Sequence, residues 1–213
     1  ELEVQTNVPF SVDIPSEDRN WLSCTMPELV LDRGARPRKL KLRFDWEMNY
    51  NQSPREVQVR LNPVESGLQV VGNGVLKVSQ QAAETIEIGV KGDSLALIAI
   101  NRVLNCMSTY DTSERMEFWN GVTVWKSGPN KGRVRSANFY LFDTKEGLPF
   151  QVQYLTAAEE LIFFGNTNTF LKDLDPGEHI CKLTNLKRLG ISAYGLVSLP
   201  DALVNLKDLE FLD

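Results

Sequence analysis

Ser94 is the residue best placed to act as a nucleophile, in the run Gly-Asp-Ser-Leu. Apolar residues alternate up to Val90 and take helical spacing from Leu95, so the serine stands between a predicted strand and a predicted helix. A turn of this kind can expose a hydroxyl for acyl transfer. The hydroxyl still needs a base to activate it, and the chain has one histidine, His179.

The run at 92–95 resembles the nucleophile motif of the GDSL esterase family. The resemblance implies a serine esterase with Ser94 as nucleophile, which we keep as one alternative. That family places its aspartate and histidine as Asp-x-x-His, whereas Asp175 and His179 are one residue farther apart here. Helix capping by Asp93 or Ser94 is the simpler interpretation, because both residue types are common N-caps.

The remaining residues show no spacing typical of a catalytic or metal site. Cys24, Cys106 and Cys181 are widely separated, so we expect buried thiols in place of a disulfide or a zinc site. The carboxylates form no distinctive pair of the glycosidase kind. We therefore predict a non-enzymatic protein with no catalytic residue, no metal and no cofactor, and we expect the lone His179 at the surface.

Composition and charge exclude several classes of partner. A chain of 213 residues with 42% hydrophobic and 24% charged residues is typical of one or two globular domains. The net charge of −5 gives no electrostatic reason to bind nucleic acid. No apolar run approaches the roughly 18 residues of a membrane span, so we expect no membrane insertion by this segment.

Residues 1–90 alternate between apolar and polar types. The clearest run, at 40–46, reads Leu-Lys-Leu-Arg-Phe-Asp-Trp, and shorter runs follow after turn-forming residues such as Pro54 and Pro63. Short alternating strands without helical stretches between them predict an antiparallel β-sandwich, in which one face of each strand is buried. The last predicted strand covers 86–90.

This segment resembles the BACON domain, an immunoglobulin-like module of secreted and surface proteins in Bacteroides-type gut bacteria. The matching stretches include Thr-Asn-Val-Pro-Phe-Ser-Val at 6–12 and Leu-Lys-Val-Ser-Gln-Gln at 76–81. The resemblance implies an immunoglobulin-like sandwich that serves as a spacer or an adhesion module. It also implies an extracellular or cell-surface location, with a lipid anchor through a removed or omitted N-terminal signal as one route.

Leucines in the second half recur in the pattern L-x-x-L-x-L. The unit at 183–189 recurs at 206–212, and a backward shift of 28 residues aligns it with 155–161. A further shift of 24 residues matches Ala158, Leu161 and Phe163 with Val134, Ala137 and Phe139. Alternate residues of such a unit point to one side of a short strand, and the neighbouring turn covers the same core. Stacked units would place their strands in a parallel sheet.

These units resemble leucine-rich repeats, and the motifs Asp-Ser-Leu-Ala-Leu, Trp-Asn-Gly-Val and Gly-Arg-Val within 93–134 resemble the N-terminal cap of extracellular members. The resemblance implies a C-terminal α/β leucine-rich repeat solenoid with a helical N-terminal cap, after an N-terminal all-β immunoglobulin-like sandwich. We predict the sandwich at 1–90, the cap at 91–131, and about three to four repeats at 132–213. The last unit has no return segment, so we expect a fragment of a longer protein.

The outward residues of the repeat strands form the predicted binding surface. The register gives three rows: Ser136, Glu160, Arg188 and Phe211; Asn138, Ile162, Gly190 and Asp213; Tyr140, Phe164 and Ser192. Aromatic residues and arginine are enriched at interface hot spots. We predict that this concave face binds a protein, peptide or glycan through Tyr140, Glu160, Ile162, Phe164, Arg188 and Phe211. A purely structural spacer, with these side chains covered by loops or by the other domain, is the remaining alternative.

Overall fold

A computed structural model describes residues 1–27, 36–65, 74–107, 109–142, 147–166, 177–193, 196 and 198–213. These residues form two compact units, Glu1–Ala83 and Glu84–Asp213. Within the described ranges there are eleven strands in three sheets and one α-helix.

The first unit contains two three-stranded antiparallel sheets. One has the order β1 (Leu2–Thr6), β4 (Arg38–Trp46), β3 (Leu22–Thr25). The other has the order β2 (Phe10–Asp13), β5 (Arg55–Pro63), β6 (Val75–Gln80). Apolar residues of both sheets meet in one small core, whose buried members are Ile14, Trp21, Leu22, Val57 and Val59. The alternating sequence therefore does bury one face of these strands, as expected from period two.

The structure corrects the prediction of an immunoglobulin-like sandwich. The predicted closing strand at 86–90 is absent from the described residues, because Ile86 packs against the core of the second unit and Val90 begins a helix. A strand ahead of Phe10, β1, instead pairs with β4 over five residues. Period two shows only that one face of a strand is buried; it does not say how many strands join or in which order.

The second unit contains one five-stranded sheet in the order β11–β10–β9–β8–β7. Its strands are β7 (Val122–Val124), β8 (Val134–Phe142), β9 (Glu160–Gly165), β10 (Arg188–Ser192) and β11 (Phe211–Leu212). β7 runs antiparallel to β8, and the other neighbours are parallel. Short 3-10 segments precede β9, β10 and β11, at Phe150–Tyr154, Ile180–Lys182 and Asp201–Asn205.

The helix α1 (Val90–Val103) packs into the same core as this sheet. Leu97, Ile100 and the following Leu104 are fully buried among the inward residues of the strands. The rings of Phe139 and Phe163 stack there, with their centroids 5.0 Å apart. Burial of each such side chain stabilises the fold by about 1.5–3 kcal/mol. No helix in the described ranges is long and apolar enough to cross a membrane.

The structure also corrects the predicted leucine-rich repeat solenoid with a helical N-terminal cap. In the described residues, a single mixed sheet backed by one helix and 3-10 segments stands in place of stacked coils. The helix belongs to the core of that sheet and forms no separate cap. The leucine spacing was misleading because it requires only that a turn and the next strand share a core, and a small sheet meets that requirement.

Candidate functional site

The outward residues of the parallel strands lie side by side. Strand pairing joins Ser136, Glu160, Arg188 and Phe211 in one row, Asn138, Ile162 and Gly190 in the next, and Tyr140, Phe164 and Ser192 in the third. The register places these residues side by side as the leucine spacing predicts, except that Asp213 of the predicted second row lies beyond the end of β11 at Leu212. We call the surface formed by these three rows the sheet face.

The sheet face presents four apolar side chains. Tyr140 is 46% exposed and Phe211 is 52% exposed, while Ile162 and Phe164 are half-buried. Ile162 owes part of its burial to Gly190 beside it: a Cβ added to this glycine would lie 3.5 Å from the Ile162 side chain. The isoleucine therefore lies over the space that the glycine leaves open, and the centre of the middle row, next to the polar Asn138, is apolar.

Charged residues line a groove of about 420 Å³ beside the first row. At its centre, Lys187 Nζ and Arg135 Nε donate to the two carboxylate oxygens of Glu159, at 2.6 and 2.9 Å. The hydrogen bond from Lys187, and then the one from Arg135, lowers the pKa of Glu159. The predicted pair Glu160–Arg188 lies 3.6 Å apart, with Arg188 exposed and Glu160 half-buried, so it contributes at most about 1 kcal/mol.

Ser94 and His179 are not joined by a hydrogen bond in the described part of the chain. The Ser94 hydroxyl donates to the carbonyl of Lys91 at 2.8 Å. His179 is half-buried, which corrects its expected surface position, and its ring packs edge-on against Phe150 at 6.1 Å between centroids. Loss of solvent, and then the charge of Lys182, lowers the pKa of His179. The predicted partner at position 175 lies outside the described residues.

Sequence reasoning missed the role of Asp93. The helix begins at Val90 with Gly89 as its N-cap, so Asp93 lies inside the first turn and does not cap it. Its carboxylate is fully buried, where it accepts two hydrogen bonds from Arg133 and one from the N–H of Val134. The sequence hint was the cap-like Gly-Arg-Val motif, but nothing local indicated that its arginine meets this aspartate. The group is satisfied and its role is structural.

The three cysteines lie in the described residues, and all are free thiols. Cys106 and Cys181 are buried as expected, whereas Cys24 is half-buried. Burial raises the pKa of Cys106 to about 12. No group of three or more His, Cys, Asp or Glu side chains in the described ranges is arranged to hold a metal ion.

Comparison with known proteins identifies no family for this chain. No family model and no curated protein matches the chain. Among solved structures, a plant ice-binding protein is similar at 20% identity over 60% of this chain, with a TM-score of 0.42. The BIR2 ectodomain from Arabidopsis thaliana is similar at 16% identity over 57% of this chain and 74% of its own length, with a TM-score of 0.32.

The chain spans 41% of the ice-binding protein. Both TM-scores are below 0.5, so neither likeness carries an argument about fold or function. The resemblances to BACON domains and to leucine-rich repeat proteins of Bacteroides-type bacteria are corrected by these findings: no family model matches, and the described residues form three small sheets with one helix.

Proposed function

We propose that this chain is a non-enzymatic binding protein that holds a protein, peptide or glycan partner on the sheet face. The observation that carries the proposal is the placement of Tyr140, Ile162, Phe164 and Phe211 on one surface in paired register. The same proposal includes an extracellular or cell-surface location, which protease shaving of intact source cells would test.

The chemistry of the sheet face suits a partner with both apolar and charged groups. An exposed apolar patch ordered by strand pairing needs no rearrangement before contact, which limits the entropy lost on binding. The adjacent groove balances Arg135, Lys187 and Arg188 against three glutamates, so it favours paired charges in the partner over a strong charge of one sign.

The test is to pan the full chain against a random peptide display library and a glycan array. Selected binders are then measured against Phe164→Ala and Tyr140→Ala, with Val204→Ala as control. Val204 is 68% exposed on the 3-10 segment before β11 and lies outside the sheet face. We expect roughly a thirtyfold loss of affinity from each aromatic substitution, which is the cost of losing a hot spot, and none from the control.

Two outcomes would count against the sheet face. Binders that tolerate both aromatic substitutions contact another surface. Selection that returns no binder from either library leaves a structural spacer as the better account of the protein.

A further inference from the structure

A second surface of the Glu84–Asp213 unit has the form of a small-molecule site. A cleft of about 570 Å³ lies between the first turns of α1, the segment at 112–119, the end of β7 and the turn at 131–132. Its walls use residues different from those of the sheet face. The volume falls in the range of about 300–1,000 Å³ that is typical of ligand pockets.

Two tryptophans give the cleft a fixed apolar wall. The indole N–H of Trp119 donates to the carbonyl of Asp111 at 2.7 Å, and that of Trp125 donates to the carbonyl of Ala157 at 2.9 Å. Both polar atoms are therefore already satisfied. Trp119 is 7% exposed and its ring stacks on Tyr110, and the guanidinium carbon of Arg135 lies 4.9 Å from the centre of the Trp125 ring. Each indole therefore has one face in contact already and adds its remaining carbon surface to the cleft. Ile98 and Val90 of α1 line it as well, and Val90 is 48% exposed.

Basic residues outnumber acidic residues around the cleft. Four basic residues line it against two acidic ones, Glu114 and Glu117, a local net charge of 4 − 2 = +2 in a protein whose net charge is −5. The Glu117 carboxylate is occupied by Lys126 and Arg115, and the hydrogen bond from Lys126 is the main cause of its lowered pKa.

The other two lysines of the cleft are not paired with a carboxylate of the described residues. Lys91 and Lys131 form no ion pair with any residue in the described part of the chain, and both side chains are exposed at the rim. A hydrated ammonium group beside an apolar wall is well suited to a carboxylate attached to a ring. An aromatic ring gains further from edge or stacked contact with indole.

We propose that this cleft binds a small aromatic carboxylate, with its ring against Trp119 and Trp125 and its carboxylate between Lys91 and Lys131. The positive charge of the two lysines favours a ligand that carries a carboxylate. Because the indole N–H groups are already hydrogen-bonded, the wall favours an apolar ring over a polar one. The binding is non-covalent and needs no co-reactant.

The test uses isothermal titration calorimetry of the full chain with 1-naphthoate and with 1-naphthalenemethanol, its neutral analogue. We expect the carboxylate to bind more tightly than the alcohol. In the double variant Lys91→Gln/Lys131→Gln, affinity for the carboxylate should fall about threefold to fivefold for each lysine, while the alcohol is unaffected. The matched control, Lys182→Gln/Lys207→Gln, removes the same charge from exposed sites outside the cleft and should bind as the parent does.

A second variant keeps the proposal falsifiable if the lysine variant folds poorly. Val90→Glu places a carboxylate at the mouth of the cleft on a half-exposed position, so it should repel 1-naphthoate and spare the alcohol. Equal affinity for acid and alcohol, unchanged binding in the lysine variant, or no heat at millimolar ligand would each overturn the proposal.

Discussion

The carboxylate of Asp93 and the guanidinium of Arg133 form a two-point ion pair, with N···O distances of 2.8 and 2.7 Å, across 40 residues of sequence. Asp93 has no exposed side-chain surface and Arg133 is 12% exposed. The pair joins the first turn of α1 to the residue before β8. The pair therefore fixes α1, which lines the cleft, against the start of β8, which carries residues of the sheet face.

Asp93→Asn is expected to lower the free energy of unfolding by about 3–5 kcal/mol, because it leaves the guanidinium of Arg133 buried without its counter-charge. Urea unfolding followed by tryptophan fluorescence measures the loss. Asp201→Asn, at an exposed position, is the control and should change stability little. Equal losses in the two variants would contradict the structural role of the pair.

Gly92→Ala should destabilise the second unit, since an added Cβ would lie 1.8 Å from the carbonyl oxygen of Glu87. The backbone must shift to relieve that contact, at a cost of about 1–3 kcal/mol. Gly190→Ala is the matched control, because its nearest neighbour would be the Ile162 side chain at 3.5 Å. Thermal unfolding of the two variants should separate them clearly; similar melting temperatures would refute the steric argument.

His179 should make the protein less stable in mild acid. Its pKa is lowered in the folded state, so the unfolded chain takes up the proton first, and native stability falls as pH drops through about 6.5. His179→Gln removes this contribution. Urea unfolding at pH 7.5 and at pH 5.5 should show a smaller acid-induced loss in the variant than in the parent. An identical loss would mean that other groups control this pH range.

The thiols should differ in reactivity toward iodoacetamide at about pH 8. Cys106 is buried and its pKa is raised to about 12, so it should stay unmodified in the native protein. Cys24 is half-buried and should react first, while all three should react in denaturant. Mass spectrometry of peptides after timed labelling measures the order. Equally fast labelling of Cys106 and Cys24 would show that the core of the second unit opens readily.

The sequence predicts the rows of the sheet face because each side chain's side of a strand depends on local alternation. Leu161 and Phe163 face the core, so the residues between and beside them must face outward. The closing strand at 86–90 was predicted wrongly for a related reason. Ile86 and Val90 are apolar in either setting, and only tertiary structure decides that Ile86 packs against the core of the second unit while Val90 begins α1.

The cleft has no signal that local sequence reasoning could find. Lys91, Trp119, Trp125 and Lys131 come from four separate segments, and none of their spacings belongs to a binding motif. One contact between these segments is the ion pair of Asp93 and Arg133, two residues 40 positions apart whose contact no periodicity predicts. Sites assembled by long-range packing become visible only once the core is in place.

The stacked rings of Phe139 and Phe163 in the core affect how the sheet face can evolve. A slip of one residue between β8 and β9 would turn the ring of the shifted strand out into water, so the buried rings hold the register of these strands. Tyr140 and Phe164 are thereby free to vary while the strands stay paired. The sheet face is a surface on which new specificities can be selected, by evolution or in a display library, on an unchanged scaffold.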